Sequence, residues 1–316
     1  MSAGSSVPYK LRPNKAVDRE LFLSLLTRLA PVLSLEGHHY IGLGGSFLED
    51  FRLVHARLGV ERMTSVESEE EVHKRQLFNR PTASVECVHS SLEEYLDAHD
   101  FDQPAIIWFD YTAPKPVEQI GRFARTVGEV RINSILRVTL NAQPSALGEP
   151  NPKLSGQALL DWRLEKFKDR LGSLCPTDIV AAGMERKTYG QSILRALFLA
   201  VEKEALSHAD RTVVWGLSTH YADGQPMVTA TLVVCAADDK AIQSLLKGWT
   251  FYSPPSKPLC IDLPALSTLE RLTMESNEDA KTKLGFELPE SGLGEDPFQV
   301  FRRFYRIYPH FSRVEL

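Results

Sequence analysis

The run HYIGLGGSFLEDFRLVHARLGVERMTSVE, residues 39–67, opens with a short apolar segment, His39 to Leu43, and Gly44 and Gly45 follow at once. Ser46 stands three residues before Glu49, a capping-box pattern that starts a helix. Phe47, Phe51, Val54 and Leu58 recur at helical spacing, so one face of that helix is buried. Gly59 sits where a helix C-cap calls for glycine. A second apolar segment, Met63 to Val66, ends in Glu67. The order is strand, glycine turn, helix, strand, carboxylate. It places bare backbone N–H groups and a helix N-terminus beside a nucleotide, with a carboxylate about 20 residues on for the ribose hydroxyls.

The same alternation continues outward. On the N-terminal side, residues 1–16 read as an arm, with Tyr9, Leu11 and Arg12 able to dock, and residues 17–35 as a helix buried along Leu21, Leu25, Leu26 and Leu29. On the C-terminal side, Ser68 with Glu71 and Ser91 with Glu94 form two more capping boxes, on either side of a strand at 83–89. Residues 105–109, AIIWF, are apolar throughout, as in a strand covered on both faces, and run into Asp110 and Tyr111. A Pro-initiated helix to Val127 and a strand over 130–141 come next. Repeated strand–helix units imply a parallel α/β sheet with helical crossovers. Ligands of such sheets bind beyond the strand C-terminal ends, where Gly44, Glu67, Ser90 and Asp110 all fall. Further on, 142–156 reads as a Pro/Gly/Ser-rich loop. Helices follow over 157–171 and 188–207, then strands over 211–219 and 226–236, joined around Asp223–Gly224 by a loop longer than two residues. Helices near 240–247 and 264–275 and an aromatic, basic C-terminal helix complete the chain.

Composition sets the broad class. The 316 residues are 43% apolar and 24% charged, ordinary for a globular enzyme-sized protein. A net charge of −5 advertises no nucleic-acid field. No apolar run reaches membrane-spanning length, and the polar start lacks a signal-peptide core. Four dispersed cysteines without a CxxC pair point to a reducing cytoplasmic setting and to no structural zinc. His38, His39, His55 and His220 show no metal-ligand spacing, so no metal is expected.

These motifs resemble the class I S-adenosylmethionine-dependent methyltransferases. YIGLGGSFLEDF with FDYT also looks like a group of bacterial sequences labelled putative O-methyltransferases. The resemblance implies a Rossmann-like sheet whose last strand is antiparallel, made by a terminal hairpin that matches 211–236. It implies S-adenosyl-L-methionine as cofactor, contacted by Gly42, Gly44, Gly45 and Ser46 in the glycine turn. Glu67 and Ser68 would meet the ribose, Ser90 and Ser91 the adenine, and Asp110 the methionine amino group. Two positions depart from the family pattern: Tyr40 stands where an acidic residue is common, and serines stand at the third strand end where many members carry Asp. The chain then divides into an N-terminal arm and helix (1–36), a cofactor-binding core (37–142), a helical insertion and lid (143–210), a closing hairpin (211–238) and a C-terminal extension (239–316).

The expected activity is methyl transfer to an oxygen of an unidentified acceptor. Asp110 is the candidate base, Tyr111 packs against the sulfonium, and 142–210 with the C-terminal part forms the acceptor pocket. Three alternatives stay open. One is N-methylation of nucleic acid or protein, suggested by Lys115, Arg122, Arg125, Arg131 and Arg137. The second is a degenerate fold acting as a scaffold, with a homodimer in view. The last is a dinucleotide dehydrogenase. In FRRFYRIYPHF, Arg302, Arg303, Arg306 and Arg313 read as the solvated face of a helix whose Phe residues pack inward.

Overall fold

A computed structural model describes residues 12–276, 279–289 and 292–309. The expected strands form one sheet: β1 (His39–Gly42), β2 (Met63–Glu67), β3 (Val85–His89), β4 (Ala105–Asp110), β5 (Ile135–Asn141), β6 (Arg211–Asp223), β7 (Gln225–Ala236) and β8 (Leu259–Ile261). Their order is β3-β2-β1-β4-β5-β7-β6-β8. All neighbours pair in parallel except those of β7, which runs antiparallel to β5 and β6. This is the mostly parallel sheet closed by an antiparallel hairpin that the sequence resemblance implies, with one further edge strand. The connection order reverses at β1, which lies between β2 and β4, and a crevice opens there at the C-terminal ends.

The helices are α1 (Pro13–Leu33), α2 (Glu49–Leu58), α3 (Glu70–Asn79), α4 (Leu92–Ala98), α5 (Pro116–Glu129), α6 (Gly156–Leu171), α7 (Tyr189–Leu206), α8 (Ala241–Lys247), α9 (Thr268–Ser276), α10 (Ala280–Leu284) and α11 (Pro297–Phe304). Side chains alternate along β4. Ala105, Ile107 and Phe109 join one core with α4, α5 and α7. Ile106 and Trp108 join a second core with α1, α2 and α8. This two-sided burial is the reason AIIWF lacks polar residues. No helix among the described residues is long and apolar enough to cross a membrane.

Several local expectations are corrected. The arm expected over 1–16 gives way to helix at Pro13, and Asn14 and Lys15 are buried. Tyr9, Leu11 and Arg313 lie outside the described residues. Of the three capping boxes only Ser91–Glu94 forms. A tight turn over Gly45–Phe47 and a left-handed Leu48 delay α2 to Glu49. At the head of α3, the Glu67 side chain accepts the Glu69 N–H at 2.8 Å in place of a Ser68 cap. The fifth strand starts at Ile135 rather than 130. The hairpin strands run to its tip, where Asp223 pairs with Gln225 around a left-handed Gly224.

Arg137 is also not where a nucleic-acid surface would need it. It is fully buried on β5, its guanidinium between the rings of Phe22 and Trp108, 4.7 and 4.8 Å from their centroids. It donates to Asp18 at 2.5 Å and to Thr231 at 2.8 Å. Asp18 in turn accepts from Thr219 and Thr229. Arg122 is buried too, paired with Glu129 at 2.7 Å. Two of the five basic residues behind the nucleic-acid alternative are therefore structural.

Burial also sets an acid limit. It holds the His39 imidazole down to about 3 and that of His220 to about 4, against an ordinary 6.5. Below pH ~6.5 the unfolded chain takes up protons at these rings and the folded chain does not, so stability falls as pH drops. The slope is about 1.4 kcal/mol per pH unit for each such histidine. Denaturation midpoints at pH 7, 6 and 5 should decline accordingly, and His39→Gln should flatten the decline. An unchanged midpoint across that range would show that burial does not hold these rings neutral.

Candidate functional site

Four strand ends meet at a cleft of about 230 Å³. The glycine turn contributes Leu43 and Gly45, the end of β2 Glu67 and Ser68, and the end of β3 Ser90 and Ser91. The end of β4 brings Asp110 and Tyr111. Seven of the ten expected site residues thus line one space, drawn from four segments far apart in sequence.

Gly42, Gly44 and Ser46 do not line it, and packing explains each. Gly42 ends β1 with Trp108 alongside. Gly44 donates its N–H to Ser65 Oγ at 3.2 Å. A Cβ on Gly44 would overlap Leu48, and would lie 2.7 Å from Ser65 Oγ and 2.9 Å from Phe51. Leu48 and Phe51 are wholly buried and cannot yield. Gly44→Ala should therefore cost about 1–3 kcal/mol through overpacking, read by urea unfolding; a variant as stable as the parent would contradict this packing. Ser46 is fully buried under the turn. From α3, Gln76 and Asn79 donate to the carbonyls of Gly45 and Ser46 at 3.0 and 2.8 Å, fixing the turn from behind.

The two carboxylates of the cleft are in different states. Burial pushes the Glu67 carboxyl above its ordinary value, against the hydrogen bond from Glu69. Burial would raise Asp110 as well, but the Lys15 ammonium, 2.7 Å from its Oδ2, outweighs this and holds the carboxyl below the ordinary range. Its Oδ1 is buried without a hydrogen-bond partner. Ser90 and Ser91 both donate to Glu94, so their hydroxyls serve the α4 cap.

Residues missed from the sequence complete the walls. Tyr111 donates its hydroxyl to Glu93 at 2.9 Å, which pins the ring at the cleft. Leu43, Val72 and Leu92 add apolar surface. Glu93 was legible only as one of two acidic residues following Ser91. Lys15, on α1, carried no local signal. Among the described residues no cluster of three or more His, Cys, Asp or Glu side chains could hold a metal ion.

A family profile described as putative O-methyltransferase matches residues 7–316. The chain belongs to that family. No curated protein matches it. Among solved structures, it is similar to Trm1 from Pyrococcus horikoshii in complex with S-adenosyl-L-methionine, at 14% identity and a TM-score of 0.46, covering 74% of this chain and 58% of that one. Aeropyrum pernix fibrillarin with bound S-adenosyl-L-methionine matches at 11% identity and TM-score 0.38, over 68% of this chain and 75% of its own. A putative O-methyltransferase from Klebsiella pneumoniae matches at 10% and 0.36, over 73% and 93%. The chain thus spans little more than half the length of Trm1, and these low scores transfer no property. The family description names methyl transfer to oxygen, and the sheet of this chain has the strand order that the sequence resemblance implied.

The cleft of this family member suits S-adenosylmethionine chemically. Half-buried Glu67 offers a carboxylate for vicinal hydroxyls, Leu43, Val72 and Leu92 offer apolar contact for a base, and the unsatisfied Asp110 Oδ1 offers an acceptor for an ammonium.

Proposed function

We propose that the chain holds S-adenosylmethionine along the cleft, ribose at Glu67, adenine against Leu92 and Val72, and methionine amino group at Asp110, and methylates an oxygen of an acceptor entering beside Asp110. One observation carries this reading: a half-buried carboxylate at the β2 end and a buried one at the β4 end face the same cleft, on either side of the glycine turn. When bound, the cofactor supplies a methyl group on a sulfonium, transferable by in-line displacement. The chain's own work is positioning in a partly enclosed, polar-lined space. Glu67 accepts hydroxyl protons, the Glu93-anchored Tyr111 ring shapes the wall, and Asp110 holds positive charge. With Lys15 stabilising its ionised form, Asp110 is a weak base and serves orientation. Four free thiols suit a reducing cytoplasm.

Ultraviolet crosslinking of methyl-labelled S-adenosylmethionine, followed by peptide mapping, tests the placement. Label is expected in the segments around 43–45, 67–69, 90–93 or 110–113. Label confined to other segments would place the cofactor elsewhere.

A further inference from the structure

Beside the Leu92 wall of the cleft stands the carboxylate of Glu93, in the first turn of α4. The Tyr111 hydroxyl donates to its Oε1 at 2.9 Å. Burial and this carboxylate push the Tyr111 phenol well above its ordinary value, so at neutral pH it remains a donor and the contact persists. Among the described residues Glu93 has no cationic partner, and Arg122, close enough to act on Tyr111, is paired with Glu129 at 2.7 Å. Glu93 is thus a carboxylate held through one oxygen by a neutral donor, with Oε2 unclaimed within the described chain. The serines at the end of β3 contrast with it. Ser90 and Ser91 donate to Glu94 Oε2 at 3.3 and 2.8 Å, and Ser91 Oγ accepts the Glu94 N–H at 3.2 Å. Both side chains are engaged by the cap of α4 rather than by the cleft.

We infer that Glu93 fills the place the β3-end serines leave open: its Oε2 accepts from the exocyclic amine of a 6-aminopurine and sets the preference of the cleft for an adenine nucleoside. The inference rests on the cofactor placement above, because only a base lying against Leu92 brings its edge to Glu93. Two lines support it. The first is position. Glu93 is the next side chain after Leu92 in the same helical turn, whereas the other glutamates lining the cleft, Glu67 and Glu69, lie at the end of β2 with the ribose. The second is chemistry. An exocyclic amine offers only donors to an acceptor in its plane, and a carboxylate accepts more strongly than a hydroxyl or a carbonyl. The bond from Tyr111 fixes the side chain in advance, so less rotamer freedom is lost on binding. A ligand without the amine leaves that fixed acceptor unpaired, which is how a polar site rejects an analogue. Glu93 keeps contact with solvent, so water offsets part of this and the discrimination is roughly tenfold rather than the larger factors of a sealed pocket.

Calorimetry with two ligands tests this: S-adenosylhomocysteine and its purine counterpart, in which hydrogen replaces the 6-amino group. The parent protein is expected to bind the amino ligand roughly tenfold more tightly. Glu93→Ala should bring the two affinities within about twofold of each other by weakening the amino ligand alone. Tyr111→Phe, which releases the carboxylate without removing it, should keep a preference of about threefold or more. Glu67→Ala should weaken both ligands by the same factor. A Glu93 that served only to pin Tyr111 would, on becoming Ala, weaken both ligands alike and leave their ratio unchanged, which overturns the inference alone. A parent protein that binds both ligands equally overturns it as well. Gln119 also lines the cleft, so a preference kept in Glu93→Ala and lost in Gln119→Met overturns it by assigning the amine to Gln119. A parent protein that binds neither ligand overturns the cofactor placement and this inference together.

Discussion

Asp18→Ala is expected to destabilise the fold by about 3–5 kcal/mol, the cost of leaving a buried charge without its partner. Arg137 and Asp18 have no solvent exposure, and Asp18 accepts from Arg137, Thr219 and Thr229 at once. Removing the carboxylate strands a guanidinium between two aromatic rings and leaves two threonine hydroxyls without their shared acceptor. The pair also joins α1 to β5, β6 and β7, so the loss should be global rather than local. Asp18→Leu combined with Arg137→Met should lose less than either single change, since apolar side chains of similar volume replace a buried pair at little net cost. Urea unfolding of the four proteins reads this directly. Additive losses in the double variant would mean that the two charges do not act as a unit.

Glu67→Ala is expected to weaken S-adenosylmethionine binding by about 1.5–3 kcal/mol, or roughly 10- to 150-fold, the usual contribution of a hydrogen bond to a charged group. The effect should exceed that of any hydroxyl in the cleft, because Ser90 and Ser91 are already engaged by Glu94. Glu67 also accepts the Glu69 N–H, so Glu67→Gln separates the roles by keeping a neutral acceptor. Glu67→Gln should retain the fold's stability while still losing much of the affinity. Because burial raises the Glu67 carboxyl, affinity in the parent should begin to fade on acidification at a higher pH than for an exposed glutamate. The protonated form accepts hydroxyl protons less well.

The sheet and most of the cleft were legible because their signals are local. AIIWF announces a strand buried on both faces, a glycine pair announces a turn, and an acidic residue at a strand end announces a carboxylate facing the cleft. What escaped depends on partners distant in sequence. Lys15, Asp18 and Arg19 read as ordinary polar residues ahead of a leucine stripe, yet they meet Asp110 at the end of β4, Arg137 within β5 and Asp50 on α2. Arg137 in LRVTL reads as an exposed position in an alternating strand, and only α1 with its Asp18 makes its burial tolerable. The capping boxes at Ser46 and Ser68 failed because tertiary demands outweighed local pairing. Leu48 adopts a left-handed conformation to bring α2 onto the sheet, and Glu67 is drawn to the α3 backbone. β8 has three residues and no periodicity to read.

The most direct test is a calorimetric titration of S-adenosylmethionine and its demethylated product into the parent protein and Glu67→Ala, under reducing conditions at neutral pH. Saturable one-to-one binding of both ligands to the parent, weakened at least tenfold in the variant, is the expected result. Absence of binding to the parent, or equal affinity in a folded Glu67→Ala, would contradict a cofactor site at the ends of β1, β2 and β4.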